Sequence, residues 1–511
     1  MAAAQLPLYR VNIRHRLRSG SSSSYNQLYD AAGNTNNPSS KGRRSPPVTD
    51  VDSRQNLSDW GWRRLLNAAR SIYGNCGALR GAMWQMVNYA VGQAFQVQYI
   101  GRNREWGNRM EEAVYESDKI CDVRGPAYDF STALKLDLLS IIRDGDCNFI
   151  LTESQSGWPQ FQSIPSHRIA SVGTIAEDRA VDGAFAGRVI SNGVFLDDAG
   201  RFIGARIATG QAEFVDVPAG NICQDYRPEF YDQARGVTFL APAIYDAQDL
   251  FDIRGYLKTA LKAEASITLV EHNELGSPME SPSSAILGGS ATRNEDNTLA
   301  TTPTVEYFDD ATVRYFRSNT GSKLEAPNSQ RPSVQSQQFS FEILRGAFEA
   351  LGWPIEFYDP SALGGANIRL RVAQAKRTLE GLQHIARRIA RRKHTYAIAK
   401  LIKLGVLPPD EDWWKIEHKA PRDLTVDNGR DTKADLELYR IGAMTLDELC
   451  ARNGSYWEEI QDQKIREAQR LNARCAETGV DIQQVQMLTP NGNAQPQENE
   501  KDDDEESKPG R

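Results

Sequence analysis

Histidine and cysteine are scarce in this sequence: six of each among 511 residues. None of the cysteines (Cys76, Cys121, Cys147, Cys223, Cys450, Cys475) forms a Cys-x-x-Cys pair, and no histidines cluster near them. Zinc sites and disulfide frameworks need tighter patterns, so buried free thiols in a reducing compartment are expected. No stretch approaches the roughly 18 consecutive apolar residues of a membrane span, and the N-terminus carries no apolar secretory segment, so no membrane partner is expected. Also missing are Gly-x-x-x-x-Gly-Lys-[Ser/Thr], His-Glu-x-x-His, Gly-x-Ser-x-Gly and Gly-x-Gly-x-x-Gly. Their absence removes the usual grounds for expecting ATP hydrolysis, zinc proteolysis, a serine nucleophile or dinucleotide binding. The expectation is a non-enzyme with no cofactor and no metal. Basic excess is lacking too: the net charge is −7. A protein that coats DNA is normally basic, so any DNA contact here is local or loose.

What is present begins with a polar arm. Residues 1–56 are rich in Ser, Asn, Pro, Gly and Arg (SSSSYNQLYD, KGRRSPP) and bury little. Their first 18 residues are Arg-rich and acid-free, a composition shared by transit peptides and by disordered basic arms, of which the arm is preferred. Residues 58–98 read as helices and then a strand-like run, AFQVQYI. STALKLDLLSIIR reads as a helix capped by Ser131, RDGD as a turn, CNFILT and WPQFQSI as strands, so 99–230 is α+β.

Pro242 opens a long helical stretch, PAIYDAQDLFDIRGYLKTALKAEASITLV, with Ile244, Ala247, Leu250, Ile253, Leu257 and Leu261 at helical spacing. A turn-rich excursion follows, then two short strands, TPTVEYFDD and ATVRYFRS. Phe341, Leu344, Phe348 and Leu351 mark a returning helix that Gly352 and Pro354 end. The loop WPIEFYDPSALGGAN leads to the clearest helix, about 368–404, striped by Val372, Ala375, Leu379, Leu382, Ala386, Ile389 and Tyr396. Shorter helices, then YWEEIQDQKIREAQRLNARCAETG, precede a polar tail ending in KDDDEES.

Few residues suggest chemistry. Asp144, Asp146 and Glu153 could hold a divalent cation, but Asp-Gly-Asp is first a turn sequence. His167 reads as a surface or interface residue, and Tyr358 with Asp359 as loop architecture rather than an acid/base pair. The helix after the loop is strongly basic, through Arg369, Arg371, Lys376, Arg377, Arg387, Arg388, Arg391 and Arg392, with Glu380 its one acid. Such a helix repels itself unless something negative lies nearby. DNA phosphate, acids of a neighbouring subunit and solvent ions are the three candidates.

Two long helices joined by a small lobe cannot bury all their apolar faces alone. Identical copies side by side in a ring would cover them and leave a central hole. This order of elements resembles the portal proteins of tailed phages, specifically the lambda-type family. RDGDCNFI with FQSIPSHRIAS, DYRPEFYDQARGVTFLAPAIYDAQDLFDIRGYLKTALKAEASI, and RPSVQSQQFSFEILRGAFEALGWPIEFYDPSALGGANIRLRVAQAKRTLEGLQ carry the resemblance. Where members of that family often have a Tyr-Ser-Ser-type sequence, this chain has GGANIRL.

The resemblance implies an α+β portal fold with wing, two-helix stem, clip and helical crown, assembled as a dodecamer. Residues 1–56 would be a disordered arm, 57–240 the wing, 241–271 the first stem helix, 272–333 the clip and 334–352 the second stem helix. Residues 353–367 would be the tunnel loop, 368–407 a basic wing helix, 408–488 crown-side helices and 489–511 a disordered acidic tail. Implied partners are the terminase large subunit, a head-completion adaptor, major capsid and scaffolding proteins, and double-stranded DNA passing through, with the virion portal vertex as location. Arg254, Lys258 and Lys262, one turn apart, are candidates for lining the channel or for an exposed or intersubunit charged face. Asp359, Ser361 and Asn367 are candidates in a polar tunnel loop, since a channel dense in arginine would grip DNA instead of passing it. The rival readings are another connector or capsid-associated protein, and a nuclease or protease using Asp144, Asp146 and Glu153.

Overall fold

A computed structural model describes residues 57–92, 95, 97–169, 177–179, 184–210, 213–272, 305–308, 313–317, 323–325, 334–360, 365–419, 421, 424, 428–452 and 457–478. The arm at 1–56, most of 272–333, Ser361 and the tail at 489–511 lie outside them. The chain divides into two compact units, Met1–Val426 and Asp427–Arg511.

The first unit is built on helices that bury one face each. Helix α1 (Asp59–Asn75) starts at Ser58, whose side chain accepts from the Gly61 N–H. It packs with α2 (Gly77–Val91) through Trp62, Leu65, Leu66, Met83 and Met86. A short strand, β1 (Val97–Tyr99), precedes α3 (Arg104–Asp118). Helix α4 (Phe130–Asp144) is capped by Asp129, which accepts from the Thr132 N–H at 2.9 Å, rather than by Ser131. Asp129 stands one residue before the helix, where its carboxylate reaches a free first-turn N–H, whereas Ser131 already lies inside the first turn.

Strands β2 (Asp146–Glu153), β3 (Pro159–Ile164) and β9 (Ile222–Tyr226) form an antiparallel sheet in the order β3-β2-β9. Between β3 and β9 the chain makes a five-stranded antiparallel meander: β4 (Glu177–Arg179), β5 (Val189–Ser191), β6 (Val194–Leu196), β7 (Phe202–Ala208) and β8 (Phe214–Pro218). It has its own small core of Ile169, Val189, Val194, Leu196, Ala205 and Ile207.

A 3-10 turn at Ala241–Ala243 leads into α5 (Ile244–Ser266). The helix is shorter than the sequence pattern predicts, because ITLV is strand β10 (Ile267–His272). That run pairs in parallel with β12 (Val313–Arg317) and antiparallel with β13 (Lys323–Glu325), while β11 (Val305–Phe308) pairs on the far side of β12. Helix α6 (Val334–Leu351) returns alongside α5. Helix α7 (Gly365–Lys403) starts at Gly365, so the GGAN segment is already helical at its end. Glycine costs little in a first turn whose N–H groups lack intrahelical partners, and the alanine beside it favours helix. The α7 stripe is buried in the main core through Ala375, Leu379, Leu382, Ala386 and Ile389.

Strand β14 (Ile416–His418) pairs antiparallel with β1 and closes a second core with Trp106, Met110, Ile398 and Leu401. Residues 408–426, grouped by sequence with the helices beyond them, therefore lie in the first unit. The second unit holds α8 (Asn428–Arg440), α9 (Leu446–Arg452) and α10 (Trp457–Thr478). The cysteines are free; Cys76, Cys121, Cys147 and Cys450 are buried, but Cys223 and Cys475 only half so. Among the described residues no helix is long and apolar enough to cross a membrane.

Candidate functional site

The α5/α6 hairpin is buried at its base and open above it. Ile244, Ala247 and Leu250 of α5 join Leu344, Ala347, Phe348 and Leu351 of α6 in the main core. Further along, Leu257 is only half-buried and Leu261 is 44% exposed; Tyr256 is 76% and Phe339 60% exposed. So among the described residues the apolar repeat read from Ile244 to Leu261 is fully covered over its first half only.

At the open end a groove of about 590 Å³ lies between the helices and the loop after α6. Arg254, Leu257, Gln337, Phe341, Tyr358 and Asp359 are among its lining residues. Arg254 and Asp359, picked separately from sequence, thus line the same groove. Lys258 and Lys262 are exposed one and two turns along α5, and Asn367 is exposed in the first turn of α7. Tyr358 and Asp359 follow a 3-10 turn, Ile355–Phe357, and both donate their N–H groups to the Ile355 carbonyl. That is loop architecture.

The basic helix finds acids inside its own chain, a source the sequence reading did not weigh. Arg388 donates Nε to both oxygens of Asp225 at 2.9 Å and Nη2 to the Tyr226 carbonyl at 2.7 Å. Arg392 donates to the Gln224 carbonyl at 2.8 Å and lies 3.5 Å from Asp225. Asp225 is buried on the edge strand β9, under α7, which is why it draws both. Arg371 pairs with Glu356 at 2.9 Å. Arg387 and Arg391 are exposed and have no ion pair among the described residues. The helix also carries Lys393, fully buried against Asp137 and over the Phe149 and Phe161 rings. Burial is the largest single influence and lowers that ammonium, but Asp137 together with Cys147 and Cys121 outweighs it, and the net direction is up.

The three carboxylates of the cation hypothesis are separately engaged. Asp146 is buried and accepts from Arg235 Nε at 2.7 Å. The other guanidinium nitrogens of Arg235 donate to the carbonyls of Ile169, Asn192 and Ser166, and its plane lies 3.8 Å over the Trp62 ring. Asp144 accepts from Arg70 and Arg143. Burial alone would raise its carboxyl, but those hydrogen bonds hold it below the ordinary aspartate value. Glu153 pairs with Lys400. Among the described residues no group of three His, Cys, Asp or Glu is placed to hold a metal. The turn reading also stands: Gly145 caps α4 with φ 102°.

Two segments quoted for the family resemblance meet here, which sequence spacing could not reveal. A Cβ on Gly236 would stand 1.9 Å from the Gly145 carbonyl oxygen. The Asp-Gly-Asp turn and the Arg-Gly pair at 235–236 therefore touch backbone to backbone, pinned by the Arg235–Asp146 pair. His167 is exposed, with Nδ1 3.0 Å from Arg70; burial and then Arg70 push its pKa down.

A second buried cluster was invisible in the sequence. His394, fully buried, places Nδ1 2.8 Å from His418 Nε2 and Nε2 3.2 Å from Asp118. Burial, then His394, Arg391 and Arg387, push His418 down to about 2.

The family model described as phage portal protein, lambda family, matches residues 41–383. No curated protein matches the sequence. Among solved structures, the neck of an empty gene transfer agent particle computed with C6 symmetry is 13% identical; the match covers 80% of this chain and 97% of that one, with TM-score 0.46. A chain from the virion of the native particle is 14% identical over 76% and 93%, TM-score 0.43. An HK97 family phage portal protein from Corynebacterium diphtheriae is 11% identical over 69% and 94%, TM-score 0.32.

Proposed function

The chain belongs to the lambda family of phage portal proteins, and from that premise we propose that it assembles as a ring of about twelve copies at one capsid vertex. The ring would pass double-stranded DNA during packaging and ejection. It would dock the terminase large subunit first and a head-completion adaptor later, within a shell of major capsid and scaffolding proteins. The chain would do no chemistry of its own, and energy for translocation would come from a separate ATPase. Asp144, Asp146 and Glu153, the residues an enzymatic reading would use, are each held by arginine or lysine.

The observation that carries the ring is the half-covered hairpin. Tyr256, Leu261 and Phe339 are exposed on helices whose bases are core. Two long helices with open apolar positions gain from burial against identical neighbours. Negative-stain images and mass measurement of the purified full chain are expected to show closed rings of about twelve. A well-behaved monomer at all concentrations would end the proposal.

A further inference from the structure

Helix α5 is two-faced. At 3.6 residues per turn, Asp249, Asp252 and Tyr256 fall within roughly 60° of one another. Arg254, Lys258, Leu261 and Lys262 fall on another face, roughly 150° round the helix. All are exposed except Arg254, which is half-buried in the groove. None of these five charges has an ion pair among the described residues. Arg254, Lys258 and Lys262 follow one another at four-residue spacing, where like charges repel, and Asp249 and Asp252 do so at three. The helix thus segregates its charges by sign, and each cluster sits beside a hydrophobe open to water.

We infer that the Asp249–Asp252–Tyr256 face of one copy seats on the Arg254–Lys258–Leu261–Lys262 face of the next copy, head to tail around the ring. The inference rests on the ring reading above. A head-to-tail ring needs two different, mutually complementary faces on each subunit, and one helix supplies both. Aromatic side chains and arginine are enriched at buried interface centres, with other charged groups at the polar rim. A basic stripe turned toward DNA in the bore would leave Tyr256, 76% exposed, in water on the opposite side. Seating it against the neighbour's Leu261 covers both.

Two double variants of the full chain test this: Lys258→Glu with Lys262→Glu, and Asp249→Lys with Asp252→Lys. Either one places like charges across every junction, so its ring population at micromolar protein is expected to fall by about tenfold or more. Mixed one to one, the variants present each other with opposite charges and rings are expected to return, which also shows that both had folded. A zero-length amine–carboxyl cross-linker on wild-type rings is expected to join Lys258 or Lys262 of one copy to Asp249 or Asp252 of the next. The inference is overturned if either double variant assembles like wild type, including the case where its rings form but no longer take DNA, or if the wild-type rings yield no such cross-link. A wild-type chain that forms no ring overturns the parent reading as well, and is told apart by that control.

Discussion

Arg235 is a cation with no water to hold it. Its side chain is 1% exposed, and its charge is met by Asp146, three carbonyl oxygens and the Trp62 ring. Removing one partner of a buried pair leaves the other charge uncompensated, at a cost of about 3–5 kcal/mol. Asp146→Asn is expected to lower the stability of the unit that ends at Val426 by about 3 kcal/mol, read from its urea midpoint. A divalent cation should change neither protein's midpoint, whereas stabilisation of wild type alone would revive the metal reading. His418 provides a pH test at the same scale. Unfolded, it takes a proton near its ordinary 6.5; folded, it resists until about 2. Its contribution is therefore complete above pH 6.5 and is lost as the pH falls below it. The unfolded state binds one more proton there, a slope of about 1.4 kcal/mol per pH unit. His418→Gln is expected to flatten the fall in stability between pH 6.5 and 5 relative to wild type. Parallel curves would mean that the buried histidine takes up its proton without unfolding.

At the scale of elements, helices were legible where an apolar stripe kept its period. α6 and most of α7 follow from Phe341 to Leu351 and from Ala375 to Ile389, since burial of those residues sets the face each helix turns inward. Element ends were less legible, because partners far along the chain decide them. ITLV continues α5 in composition, yet forms β10 against strands more than forty residues later. Segment 408–426 looks like a lead-in to later helices until β14 pairs with β1, more than three hundred residues away. The candidate site shows the same division. Arg254, Lys258 and Lys262 could be picked from their one-turn spacing. That Arg254 shares a groove with Asp359 depends on the fold, as does the use of Arg388 and Arg392 on Asp225. Charge density on a helix is visible in sequence; which charges an internal acid has already satisfied is not. Ser361 and most of the chain around β11, β12 and β13 lie outside the described residues.

For the whole molecule, the decisive question is whether its stability belongs to one chain or to many. Phe339 separates the two cases. It lies on α6 roughly opposite the groove-lining Gln337 and Leu344, and is 60% exposed in the subunit. Replacing it with serine removes little that the subunit itself buries, so the melting temperature at high dilution should stay within a degree or two of wild type. If neighbours cover Phe339, each junction loses apolar burial worth about 1–2 kcal/mol, close to tenfold in the dissociation constant of each contact. Assembly links stability to concentration, so wild type is expected to melt higher as protein concentration rises. Phe339→Ser should lose most of that rise while keeping the dilute value. A variant that falls at every concentration would show that Phe339 packs within the subunit. One that keeps the full concentration dependence would show that the outer face of α6 meets no neighbour, and the ring would then have to be held by α5 and by surfaces beyond the hairpin.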